Sequence, residues 1–359
     1  MYLTRRAFLS KSICAAGAML ISPWVDLKQR LADFPEGQQL GRICVGKVDL
    51  RARPSANSQS VGVLYEDMVI VWLRQVIGEA PGLALSRRWV ETPDGFVYAP
   101  SVQPVKNLPN KPVLDLRQTS LGKGMWVEVT VPYVDFYLHN PPARSPWLQE
   151  NDRPRLYYSQ VLWVDDIKQT DDGRTLYRIN ELYGTYGDVF WADAEAFRPL
   201  TEEDMTPIHP GVPDKQVVVD VNHQVLSCYE GKEEVYFCRI SSGAKWDYLG
   251  EAVDNWATPV GSHYIWRKLI SVHMAGGTNA SGYDLPGISW TSLFVGDGVA
   301  IHSTFWHNDF GTPRSHGCVN ASPEDARWIF RWTEPTVPYD PGDVTVQMFQ
   351  STVVKVIEA

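Results

Sequence analysis

The sequence predicts a mainly β protein built as two or three domains, and three observations carry that expectation. At 359 residues the chain exceeds one ordinary domain of roughly 100–200 residues. Fourteen Trp, sixteen Tyr and twelve Phe are side chains that favour strands. Twenty-seven Gly and 25 Pro supply turns often enough to keep those strands short. Apolar residues at 44% and charged residues at 21% exclude the disordered and fibrous classes. The balance of 33 basic against 42 acidic residues, with no Lys/Arg stripe beyond the N-terminus, excludes a nucleic-acid partner. Five cysteines are too few and too scattered for a disulfide scaffold.

Residues 1–35 read as an export signal and tether. Arg5, Arg6 and Lys11 precede an apolar stretch from Ile13 to Ile21, with no acid before it. Thr4-Arg5-Arg6-Ala7-Phe8-Leu9 resembles a twin-arginine signal, which directs export of an already folded protein. The expected location is extracytoplasmic, in the cell wall or periplasm, with the signal either cleaved or retained as an anchor. No later stretch approaches the roughly 18 uninterrupted apolar residues of a membrane span.

Over residues 40–107 short strand patterns alternate with turns: Cys44 to Leu50, Gly62 to Tyr65, Met68 to Leu73, Trp89-Val90-Glu91 and Gly95-Phe96-Val97-Tyr98. Strands this short and close predict a small β-barrel, and their order resembles the bacterial SH3-like modules of wall-associated enzymes. Residues 120–200 are expected to repeat the design. Trp126 to Val131 alternates, Leu156 to Val164 is apolar, and Asp171-Asp172-Gly173 turns the chain into Leu176 to Ile179. The closing string Asp188 to Ala192, then Arg198-Pro199-Leu200, echoes Gly95 to Ala99, then Gln103-Pro104-Val105. Acidic residues 202–204 and prolines 207, 210 and 213 make 201–214 a linker into a third domain, 215–359.

In that domain Gln216 to Leu226 and Val235 to Ile240 flank a Glu230-Gly231-Lys232 turn, followed by strands at Tyr264 to Leu269 and Val299 to His302. One helix is expected: Ser322 caps it, Pro323 opens it, Glu324 and Asp325 offset its positive end, and Pro335 bounds it. The last strand is placed at Val344 to Met348. If Gly231-Lys232 is a two-residue turn, Cys228 faces Val235 and Cys238 faces Val225, on opposite sheet faces; two free thiols follow.

The chemistry concentrates in Ile301-His302-Ser303-Thr304-Phe305-Trp306-His307 and Ser315-His316-Gly317-Cys318-Val319-Asn320. A thiol needs a basic neighbour to become a nucleophile at neutral pH, and His302 and His316 are the candidates. Gly317 permits a sharp turn that leaves backbone amides near Cys318 free for a developing oxyanion. An inert buried Cys fits these neighbours poorly. A zinc site built on His302, His307, His316 and Cys318 lacks a second Cys at ligand spacing.

These segments resemble the catalytic motif of the L,D-transpeptidases (YkuD-type domain), as do Thr258-Pro259-Val260-Gly261 and Ile240-Ser241-Ser242-Gly243 upstream. The resemblance covers about 140 C-terminal residues. It implies a β-sandwich catalytic domain with a short helix after the cysteine, Cys318 as nucleophile and His302 as base. His316 and Gly317 would shape the site, and Ser315 and Asn320 would support substrate. It implies no metal or cofactor, and as partners the donor and acceptor stem peptides of peptidoglycan, met by a monomer whose SH3-like modules hold the wall. The implied reaction is release of D-Ala from a stem tetrapeptide and transfer of the acyl group to an amine, giving 3→3 cross-links. Two alternatives stay open: water resolves the thioester, as in an L,D-carboxypeptidase, or the domain is inactive and the protein only binds wall.

The twelve residues between His302 and Ser315 hold the extra His307 and Asp309, a spacer slightly shorter than many in the family. His307 either sits over the donor peptide or decorates a loop. Trp290, Trp306 and His273, which opens His273-Met274-Ala275-Gly276-Gly277, are candidates for lining the groove.

Overall fold

The computed structural model describes residues 33–359 except 152, 182–185, 246–250, 252, 254–255, 277–282, 297 and 348. The export signal expected over 1–35 therefore lies almost wholly outside the described residues. Among those residues no helix is long and apolar enough to cross a membrane.

The β expectation holds along the chain. Residues 40–105 form two sheets around a shared core of Ile43, Leu50, Leu64, Trp72, Val90 and Val97. Three strands (Leu40–Ile43, Val69–Val71, Val102–Val105) make one sheet and five make the other. The 3-10 turn Ala99–Ser101, with Pro100 inside it, carries the chain between them. No closed barrel is present in this module. Residues 117–199 form one eight-stranded sheet instead of the second barrel expected. The echo between the modules is nonetheless structural: Gly95–Tyr98, a 3-10 turn and Val102–Val105 recur as Val189–Asp193, Ala194–Ala196 and Phe197–Pro199. In each case the last strand returns to the module's first long strand, Leu40–Ile43 or Gly122–Val129.

The segment expected as a linker is packed. Thr201 caps the 3-10 turn Glu202–Met205, and buried Asp204 receives both Arg198 and Arg327. Beyond it lie two five-stranded sheets. The first runs in the order Glu233–Arg239, Val225–Glu230, Lys215–Asp220, Val353–Ile357, Gly261–Tyr264. The second runs Val319–Ala321, Val299–Ser303, Tyr283–Val295, Arg267–Gly276, Asp343–Thr345. Val217, Leu226 and Val354 from one sheet and Ile270, Ile301 and Val319 from the other share a core with Trp126 and Trp163 of the preceding module.

The helix forms at Pro323–Trp332, where Ser322 Oγ accepts from the Asp325 amide at 3.2 Å. Its buried stripe of Ala326, Ile329 and Phe330 follows the helical period. The last strand is not Val344 to Met348 but Val353–Ile357, which lies parallel to Lys215–Asp220 in the middle of the first sheet. Gly231-Lys232 is the two-residue turn expected, with Glu230 opposite Glu233. A bulge beside Tyr229 then shifts the register, so Cys228 faces Tyr236 and Cys238 faces Leu226. That moves both thiols to the same buried face, against the expected opposition, and both are free.

Candidate active site

Val299–Ser303 and Val319–Ala321 pair in parallel, with Ile301 opposite Val319 and His302 opposite Asn320. Parallel neighbours need a crossover of about a dozen residues or more, which accounts for the spacer between the two motif halves. The turn Ser315 to Cys318 ends this crossover. Gly317 has φ +120°, a conformation L side chains rarely adopt. Ser315 Oγ donates to the Cys318 carbonyl at 2.5 Å and accepts from the Gly317 amide at 3.1 Å. Ser315 therefore braces the turn, and of the backbone amides near Cys318 expected to be free for an oxyanion, that of Gly317 is already used.

The upstream motifs converge here. The Gly317 carbonyl accepts from Thr258 Oγ1 at 2.8 Å, and that oxygen accepts from the Gly243 amide at 2.9 Å. A Cβ on Gly243 would stand 2.0 Å from the Trp256 carbonyl, so the close approach requires glycine. Gly243 and Ser315 form an isolated bridge, as do Ser241 and Asn320.

The Cys318 side chain is half-buried, and its thiol donates weakly to the Gly298 carbonyl at 3.7 Å. Burial pushes the thiol up to about 11, partly offset by the Ala300 amide. His302 is buried, and its Nδ1–H donates to the Ser303 carbonyl at 2.8 Å. That bond fixes the tautomer, because a carbonyl only accepts, and leaves the lone pair on Nε2. Burial lowers this imidazole to about 4. Thiol and imidazole are thus both neutral at rest. The Ser303 carbonyl is a participant that sequence reasoning missed, since backbone roles leave no residue-type signal.

His316 is half-buried between Trp256 at 4.1 Å and Tyr283 at 5.4 Å between ring centroids. Tyr283, at the start of Tyr283–Val295, was likewise not legible, as nothing adjacent to it in sequence belongs to a motif. Trp306 lies 5.9 Å from the His302 ring and is half-buried, on the site. Trp290 is not on a groove: its indole is 1% exposed, packed between Phe330 and Arg327. Its φ of +57° kinks the strand, and the neighbouring Ser289 amide donates to Ser303 Oγ at 3.2 Å.

His307 is neither an exposed loop residue nor free to cover a peptide. It is buried, with Nδ1 accepting from the Asp309 amide at 3.1 Å and Nε2 placed 3.0 Å from the Asn320 amide nitrogen. Burial first, then Arg314, His302 and Arg88, lower it to about 3, so it is neutral. The proton of this neutral ring must sit on Nε2, which requires the Asn320 oxygen, not its nitrogen, to face it. The same rotation explains why Asn320 Oδ1, as placed, is buried without a partner. Oriented this way, Asn320 turns its NH2 group away from His307.

His273 is also used structurally. Its two ring nitrogens meet Glu181 at 2.6 Å and Asp284 at 2.5 Å, clamping the Arg267–Gly276 and Tyr283–Val295 hairpin to the preceding module. Burial opposes protonation, but the two carboxylates outweigh it and raise the ring to about 8. The clamp is therefore complete below pH 6.5 and is lost as pH rises through 8, worth about 2 kcal/mol. Thermal melts should show the parent losing that increment relative to His273→Gln between about pH 6.5 and 9. Parallel pH profiles would rule the clamp out.

Residues 214–354 match the family model described as YkuD, the L,D-transpeptidase catalytic domain. No curated protein matches the chain. Among solved structures, a mutant Enterococcus faecium L,D-transpeptidase is similar at 23% identity over 42% of this chain and 52% of that one, with a TM-score of 0.30. The catalytic domain of an E. faecium L,D-transpeptidase gives 22% identity over 41% and 99%, with a TM-score of 0.30. An L,D-transpeptidase from Mycobacterium smegmatis gives 17% over 54% and 98%, with a TM-score of 0.32. The chain thus spans about half the length of the first of these.

Proposed function

We propose that the protein is an exported peptidoglycan L,D-transpeptidase with Cys318 as nucleophile and His302 as base. The supporting observation is the Ser315 to Cys318 turn set beside a neutral, tautomer-fixed His302 within the residues that match the family model.

Sγ attacks the carbonyl that precedes the terminal D-Ala of a stem tetrapeptide, and its proton passes to His302 Nε2. Because the resting thiol is raised to about 11, the thiolate forms only as that transfer proceeds, and the thiol gives up the Gly298 carbonyl to make it. The imidazolium formed is held by the Ser303 carbonyl and protonates the departing amine, so D-Ala leaves and a thioester remains. The side-chain amine of a second stem attacks the thioester and yields a proton to His302. The sulfur departs, recovers that proton, and the amide product is a 3→3 cross-link. The donor peptide bond supplies the acyl group, so no cofactor enters the scheme.

Incubation of the full chain with disaccharide-tetrapeptide, followed by mass spectrometry, should give cross-linked dimers with release of D-Ala. Tripeptide monomers alone would replace transfer by hydrolysis. Absence of both products and of a Cys318 thioester would overturn the reading.

A further inference from the structure

The crossover between the two catalytic segments, residues 304–314, does not stand on the catalytic domain alone. Arg42, in the first N-terminal strand, is 3% exposed and donates through Nη2 to the Phe305 carbonyl at 2.8 Å. Its remaining nitrogens meet Gln103 Oε1 at 3.0 Å and Asp67 Oδ1 at 2.8 Å, and its guanidinium lies 4.0 Å over the Tyr157 ring. A buried guanidinium held on three sides is a rigid donor. Arg88 of the same module donates to the Asn308 carbonyl at 2.6 Å, and Asn308 returns its amide to the Pro100 carbonyl at 3.2 Å. The outer rim of the crossover is thus bound by the N-terminal module, while its inner side presents His307 to Asn320, the parallel-strand partner of His302.

We propose that the N-terminal module of residues 40–105 is a working part of the active site, with Arg42 and Arg88 as positioning residues that hold the 304–314 crossover and, through His307, orient Asn320 beside His302. The module's contribution is geometric: reacting groups displaced by about 1 Å lose up to about a hundredfold in rate. The crossover the module binds carries Trp306, 5.9 Å from the His302 ring, and burial of that ring is what holds the imidazole neutral. The sequence spacing fits this assignment, because the extra His307 and Asp309 fall in the segment the module grips. The inference rests on the proposed transpeptidase reading for its activity readout.

Steady-state turnover of the full chain on disaccharide-tetrapeptide tests it with Arg88→Met, Arg88→Lys and Arg42→Met, and with exposed Arg53→Met of the same module as control. Arg88→Met should lower kcat about tenfold or more with KM changed less than about twofold. Its acid limb should move upward by about one pH unit as water reaches His302. Arg88→Lys, whose ammonium can still donate to the Asn308 carbonyl, should recover to within about threefold of the parent. Arg53→Met should match the parent. Folded Arg88→Met with parental kcat and acid limb overturns the inference, as does a loss that Arg88→Lys does not relieve and that leaves the limb unmoved. If Arg42→Met fails to fold, Arg88 decides. A parent that releases no D-Ala sinks the functional reading by itself; NMR titration of His302 in the parent and Arg88→Met then decides the positioning role, an unchanged ring overturning it.

Discussion

Cys318→Ala is expected to abolish D-Ala release and thioester formation, a loss of at least about 10⁴ in rate or roughly 5.5 kcal/mol. The other described thiols cannot replace it. Cys228 and Cys238 lie in the core and burial raises both, while Cys44 is raised likewise and sits in the N-terminal module. The fold should be spared, because the side chain gives up only one weak hydrogen bond at 3.7 Å, and the melting temperature should stay within about 2 °C. Alkylation by iodoacetamide supplies a second readout. With the thiol near 11, labelling of the parent should climb about tenfold per pH unit through neutrality, and the Ala variant should lose that label. Turnover by the Ala variant would place the nucleophile elsewhere.

Lys268→Met should cost about 3 kcal/mol of stability, read as a shift of the denaturant midpoint at unchanged slope. Lys268 is 0% exposed, yet its ammonium donates to the carbonyls of Phe330, Thr333 and Pro335 at 2.6, 2.6 and 2.7 Å. These are acceptors left over where the Pro323–Trp332 helix ends; burial lowers the amine to about 7, and its protonated form also meets the negative end of the helix dipole. Met has similar length but no donor, so three buried carbonyls lose their partner at once. Lys215 supplies the Trp332 carbonyl in the same way, at 2.8 Å. A loss below about 1 kcal/mol would show that these acceptors are satisfied without Lys268. Since the helix packs on the strands bearing His302 and Trp290, this stability reaches the site.

Where the deciding interaction is short in sequence, the residues were readable. Ser322 caps its helix three residues away, Gly231-Lys232 closes its own hairpin, and Gly317 adopts the positive φ its motif requires. Where a distant packing surface decides, they were not. The bulge beside Tyr229 carries Cys228 and Cys238 to one core face, a register set by what those strands bury. Val353–Ile357 becomes a central strand because Lys215–Asp220 waits for a parallel partner more than 130 residues away. Trp290 and His273 have residue types that suit a peptide groove, but Phe330, Glu181 and Asp284 claim them first.

By itself the sequence determined the β character and the C-terminal segments that fall within the residues matching the family model, because composition and spacing act through local backbone preferences. Only the tertiary structure decided which atoms are available. Ser315 is spent on the turn, His302 has its tautomer set by a backbone carbonyl, and His307 has both nitrogens engaged against Asp309 and Asn320. It also joined residues 40–105 to the crossover through Arg42 and Arg88, contacts more than 200 positions apart. Hydrogen bonds across such separations depend on three-dimensional register, and no pattern along the chain encodes that directly.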